Sequence, residues 1–171
     1  MKYMSLKLWR GVTIILTALL VSLCFAHLWD LPARVAMTAS NWLYAMKMDE
    51  PILNASAGPL LQVATVGAAF VLLGMVRDDG KAFWWSLSAA MTLLVAFIVW
   101  WAFIYPVEMR LNNITPASIP MNWESLRMRW ESAQVVRAAL AITALCTLVI
   151  SGLIARPVGR VRRRSRYFLI T

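Results

Sequence analysis

The stretch from Ala82 to Tyr105 reads AFWWSLSAAMTLLVAFIVWWAFIY and contains no charged residue. At 1.5 Å of rise per residue such a run makes a helix of about 36 Å, enough to cross the hydrocarbon core of a bilayer. Trp84 and Trp85 stand near one end and Trp100 and Trp101 near the other, where amphipathic aromatic rings favour the membrane–water interface. A water-soluble core helix needs neither this length nor these flanks. Three further apolar runs lie outside it, at about residues 8–31, 58–76 and 133–155. The fold class that follows is an all-α membrane protein: a four-helix transmembrane bundle, with short interfacial helices on its outer side.

Bulk composition agrees. Of 171 residues, 61% are hydrophobic and 15% charged, whereas soluble domains stand near half apolar and a quarter charged. One transmembrane domain over residues 1–171 is expected, ending in a basic tail over 156–171. The formal charge of +9 would suggest nucleic acid in a soluble chain. Here the basic residues gather at span ends, so membrane lipid is the expected partner and nucleic acid is not. Cys24 and Cys146 both fall within spans and form no C-x-x-C pair, which makes them small apolar fillers rather than a redox couple.

Lys and Arg placement sets the expected orientation. Lys2, Lys7 and Arg10 precede the first span, Arg77 and Lys81 flank the turn between the second and third, and Arg156 to Arg166 follow the fourth. With four spans these segments share one side, so both termini are expected in the cytoplasm of a bacterial inner-membrane protein. On the other side, basic residues are matched by Asp30, Asp49, Glu50, Glu108, Glu124 and Glu131. The basic start and the Cys24-Phe25-Ala26 stretch also resemble a cleavable signal. Leu28, Trp29 and Leu31 continue the apolar run beyond it and favour an uncleaved anchor.

Finer expectations concern ends and caps. Pro32, Pro106 and Pro157 stand at or just past span ends, where helices can stop. Residues 31–48 repeat apolar positions at helical spacing and suit a helix in the interface. Asn122 reads as an N-cap with Glu124 in the first turn, opening a helix that runs unbroken into the fourth span.

Candidate chemistry sits in three places. His27 and Asp30, spaced i and i+3, point to one helical face as a proton-transfer pair, or alternatively as a mere span-end marker. The pair could also supply two metal ligands, but His27 is the only histidine, so a His-rich metal site is excluded and no metal-binding residues are assigned. The stretch Asn122 to Glu131 places Trp123, Trp130 and Arg137 at sevenfold spacing, with Arg127 and Glu131 able to pair at i, i+4. It can line a pocket or form an aromatic belt. Arg162, Arg163, Arg164 and Arg166 can bind anionic lipid, each contributing about 1 kcal/mol near the surface, or serve only topology.

The segment Ala26-His27-Leu28-Trp29-Asp30-Leu31-Pro32 resembles an A-H-x-x-E-L-P motif closing a first span. Pro106-Val107, Thr115-Pro116, Ile119-Pro120, Trp123 and Arg129-Trp130-Glu131 resemble the stretch between the last two spans of the same family. That family is the four-span membrane group that includes the fungal anthrone oxygenases, and the resemblance runs from about His27 to Leu153. It departs from the family pattern at Asp30 for glutamate, Arg34 for lysine, Glu108 for asparagine and Gln134 for histidine. The resemblance implies an enzyme acting on an aromatic or quinone-like compound near the outer surface. Oxidation of an activated C–H needs a base and an aromatic pocket. His27, Asp30 and Glu131 are the expected catalytic groups. Trp123, Arg127, Arg129 and Trp130 are the expected substrate-binding ones, with an arginine stabilising a developing phenolate. No organic cofactor is implied. His27, Asp30 and Glu131 are expected to converge on an outward-opening pocket. The alternative is a non-catalytic subunit or assembly partner, in a homo-oligomer or a membrane complex, whose aromatic third span packs on another protein.

Overall fold

The computed structural model describes residues 2–48, 58–115 and 118–155. Four of its helices are long and apolar enough to cross a membrane, and the protein is an integral membrane protein built as an all-α bundle. In lipid every backbone N–H and C=O needs an internal partner, and a helix supplies them within one segment. The elements are α1 (Lys2–Ala36), α2 (Ala39–Met48), α3 (Gly58–Met75), α4 (Gly80–Val99), a π-helical turn (Trp100–Ile104), α5 (Tyr105–Asn112) and α6 (Trp123–Ile154).

The long helices pack as a ring, α1 against α3, α3 against α4, α4 against α6 and α6 against α1. The start of α1, the α3–α4 turn and the end of α6 share one end, which is called here the terminal end. Ser86 and Ser151 hydrogen-bond there at 2.8 Å, and Trp9 donates to the Ala68 carbonyl at 3.2 Å. The α1–α2 and α5–α6 connections lie at the opposite, distal end.

Small residues explain the close approach of α4 and α6. Ala82, Ser86, Ala89, Ala90 and Ala96 face inward from one, and Ala138, Ala141, Ala144, Thr147 and Ser151 from the other. Lipid tails are as apolar as leucine, so helices associate in membranes by tight packing rather than by escape from water. Ala141 is fully buried in a cluster with Leu20, Cys24, Ala90 and Leu93. Ala141→Leu should therefore lower stability by about 1–3 kcal/mol through overpacking, read as a lower melting temperature in detergent. The exposed neighbour Ile142 provides the control: Ile142→Leu should leave the melt unchanged, and equal melts for both variants would refute this packing.

Two prolines expected at helix ends lie inside helices. α1 continues past Pro32 to Ala36. Membrane helices tolerate a proline where neighbouring groups hold the segment, and Arg34, two residues on, is buried against Trp130. The third span likewise continues past Pro106 as far as Asn112. It does so through the π turn, in which the Tyr105 N–H bonds to the Trp100 carbonyl. That widening leaves room for a proline ring that would otherwise clash with the carbonyl four residues back. The extra residue turns the following helix by about 100°, and α5 faces Val107 and Leu111 into the core.

α6 runs unbroken from Trp123, as expected from Asn122. Asn122 caps it through its backbone carbonyl, which accepts from the Ser125 N–H, and its side chain makes no capping bond. The short helix expected within residues 31–48 is α2. It buries Trp42 and Leu43 against Ile104, Val107, Leu126 and Trp130, and so roofs the distal end of the bundle. Lys47 ties it to the α5–α6 connection by donating to the carbonyls of Asn112 and Ile114.

Candidate functional site

One stripe of α6 changes character along its length. Toward the terminal end it is Ala138, Ala141, Ala144 and Leu148. Toward the distal end it is Arg127, Trp130, Glu131, Gln134 and Arg137, all buried. The i, i+3, i+4 spacing that gives a helix one core face here delivers charges into a bundle interior. Such groups are costly in a membrane and commonly mark function.

The other helices complete the cluster. α1 contributes His27, 9% exposed, and Arg34, 5% exposed. The His27 ring packs on Trp130 with centroids 5.0 Å apart, and the Arg34 guanidinium lies 5.8 Å from the same indole. Trp130 itself is 0% exposed. α5 brings Glu108, half-buried, beside the Trp130 indole, and α2 brings Trp42 beside Glu131, which is 3% exposed. Neither indole N–H closes a hydrogen bond of standard geometry with its carboxyl. α3 contributes Gln62, which accepts from Arg137 Nε at 3.2 Å across the bundle, while Arg137 Nη1 donates to Gln134 at 3.3 Å.

The sequence-derived site divides. His27, Arg127, Trp130 and Glu131 belong to the buried cluster, and Trp123 stands at its edge, half-buried. Asp30 does not join it: the boundary of the buried face of α1 falls between His27 and Asp30, and Asp30 is exposed. Arg129 is exposed as well, its guanidinium 5.5 Å from the Phe103 ring. Arg127 and Glu131 form no ion pair within 4 Å among the described residues. Arg127 instead donates to the carbonyls of Met37 at 2.8 Å and Arg34 at 3.5 Å, just past and near the end of α1, and stacks 4.6 Å from the Trp123 ring. An apolar crevice with space of about 10 Å³ lies between Trp42, Leu111, Pro120 and Trp123. An open depression of about 340 Å³ lies over Arg110, Asn113 and Asn122. Neither is lined by His27 or Glu131. Arg162, Arg163, Arg164 and Arg166 lie outside the described residues.

Sequence reasoning passed over Arg34, Trp42 and Gln62 as site members, and placed Arg137 only on the helical face shared with Trp123 and Trp130. Gln62 carried a legible signal, a lone amide inside an apolar run. Among the described residues no group of three metal-ligating side chains comes together. No protein-family model, curated protein or solved structure matches the chain.

Proposed function

We propose that the distal cluster is the working site of a membrane enzyme similar to the anthrone oxygenases, acting on an aromatic or quinone-like compound. The observation that carries this reading is the burial of His27, Arg34, Arg127 and Glu131 at one end of the bundle, with His27 and Arg34 against the Trp130 indole and Arg127 against Trp123, whereas the buried polar side chains toward the terminal end are uncharged hydroxyl groups. A protein that only packs on a partner has no need of such groups, since burying charge costs several kcal/mol per ion. In the reaction, an activated CH2 and dioxygen yield a ketone and water. His27 takes the first proton as base, Trp130 provides an aromatic wall, and an arginine stabilises the developing phenolate. Purified protein in detergent, given an anthrone and air, should consume oxygen and produce the quinone chromophore above the uncatalysed rate. A rate equal to that of buffer with detergent alone refutes it.

The second reading, a non-catalytic subunit, rests on the exposed Trp84, Trp85 and Trp101 along the third span. A protein partner recovered at constant stoichiometry after mild solubilisation, together with no turnover, would favour it.

The orientation proposed is a bacterial inner-membrane protein with both ends in the cytoplasm, supported by the Lys and Arg placement. Reporter fusions at Met1 and Thr171 should both give cytoplasmic signals; a periplasmic signal from either would reverse the assignment.

A further inference from the structure

The distal cluster has a lopsided hydrogen-bond inventory. Among the described residues, its buried side-chain atoms that make no hydrogen bond are Arg34 Nε, Trp42 Nε1, Gln62 Nε2, Arg127 Nε and Trp130 Nε1 on the donor side. On the acceptor side there is Glu131 Oε1 alone. Small shifts would close Trp42 on Glu131 and Trp130 on Glu108, their neighbouring carboxyls. Arg34 Nε, Arg127 Nε and Gln62 Nε2 would still lack acceptors. Arg34 reaches only a weak one, Met46 Sδ at 3.6 Å. Charge is lopsided in the same sense, with Arg34, Arg127 and Arg137 buried against Glu131 and the half-buried Glu108. Guanidinium groups only donate and are not deprotonated in proteins. A buried donor without an acceptor is expensive, so what completes this cluster is rich in acceptors and negatively charged.

We infer that the cluster binds an oxyanion, held between Arg34 and Arg127 with the Trp130 indole beside it. Both arginines are nine-tenths or more buried and each has an Nε–H without an acceptor. The two arginines are neighbours: Glu131 lies near the charges of both, and Arg127 Nη1 donates to the backbone carbonyl of Arg34. A guanidinium donates from Nε and Nη in a fixed fork that matches the oxygens of a carboxylate or phosphate. The indoles of Trp130 and Trp123 back the two guanidiniums and hold them in place. The oxyanion has two sources: an acidic group on a small aromatic molecule, or the phosphate of a lipid headgroup at the distal end of the bundle. This inference rests on reading the cluster as the working site, and adds the feature by which that site selects its ligand.

The test uses the full-length protein in dodecyl maltoside micelles, which carry no phosphate, with 1-hydroxy-2-naphthoate as fluorescent probe and its methyl ester as the uncharged control. The acid should bind and the ester should bind at least tenfold more weakly, a comparison that needs no variant. Arg34→Gln and Arg127→Gln should each weaken the acid at least tenfold, while Arg129→Gln, at an exposed position outside the cluster, should not. Arg34→Lys, which keeps the charge but lacks the fork, serves if the glutamine variants do not fold, and should also bind the acid more weakly. If the naphthoate does not bind but phosphatidylglycerol stays with the wild type through detergent washing and is lost from Arg127→Gln, the oxyanion is the lipid's. If neither anion binds, or acid and ester bind equally, the inference is overturned and water satisfies the donors. The proposed enzyme activity fails separately. Naphthoate binding without anthrone turnover keeps the oxyanion site and removes the oxygenase. Anthrone turnover without binding of either anion keeps the oxygenase and removes the oxyanion site.

Discussion

Trp130→Ala is expected to be among the most destabilising single substitutions in the chain, at about 3–5 kcal/mol for a fully buried aromatic truncated in place. The indole is 0% exposed. It touches elements distant in sequence: the His27 ring and the Arg34 guanidinium from α1, Trp42 from α2, and Ile104 and Val107 from the third span. Removing it leaves a void lined in part by charged groups, which adjoining apolar side chains fill poorly. The lower part of that range is expected in detergent, where separated helices also find partners for their polar groups. Thermal melts of the purified protein measure the loss. Trp130→Phe, which keeps most of the ring, should lose less than half as much. Trp123→Ala, at the half-buried edge, should also cost less than Trp130→Ala. Equal losses at 123 and 130 would show that Trp130 is not the keystone of the distal cluster.

His27→Gln should lower anthrone turnover by about 10²–10⁴, the usual contribution of a positioned general base. Glutamine is close to histidine in size and hydrogen bonding but cannot accept a proton at neutral pH. The expected outcome is thus lost rate with a melting temperature near that of the wild type. Asp30→Asn should leave turnover within assay error, because the Asp30 side chain is exposed and stands outside the buried face that carries His27. The two variants together separate a buried single base from a His–Asp pair. Full turnover in His27→Gln would exclude the base. A large loss in Asp30→Asn would restore the paired arrangement that the spacing alone suggests.

The distinction between His27 and Asp30 illustrates where the sequence stops being informative. At 100° per residue, positions three apart lie about 60° from one another around a helix. A spacing rule therefore calls them one face. Whether the edge of the buried face passes between them depends on where α3 and α6 sit, which no local pattern contains. The same holds for Arg127 and Glu131. Their spacing allows a pair, but the carbonyls of Arg34 and Met37 at the end of α1 compete for Arg127 and take it.

The sequence by itself determined that there are four long apolar helices, and with them the class of protein. Lipid offers no partner to the backbone, so a long uncharged run has no alternative to a helix, and this holds without knowing what surrounds it. It also determined that α6 begins at Trp123, since nothing after Asn122 interrupts the helix, and that polar groups gather at the far ends of the spans. Tertiary structure alone decided the rest. Pro32 and Pro106 read locally as stops, yet both lie within helices, because packing around Arg34 and the π turn at Trp100–Ile104 absorb the missing N–H. Gln62 and Arg137, separated by 75 positions, meet across the bundle only when α3 and α6 stand in the same ring. The donor surplus of the distal cluster is likewise a sum over four helices and the short roof helix. A hydrogen-bond inventory becomes lopsided only once the partners each side chain can reach are fixed in space.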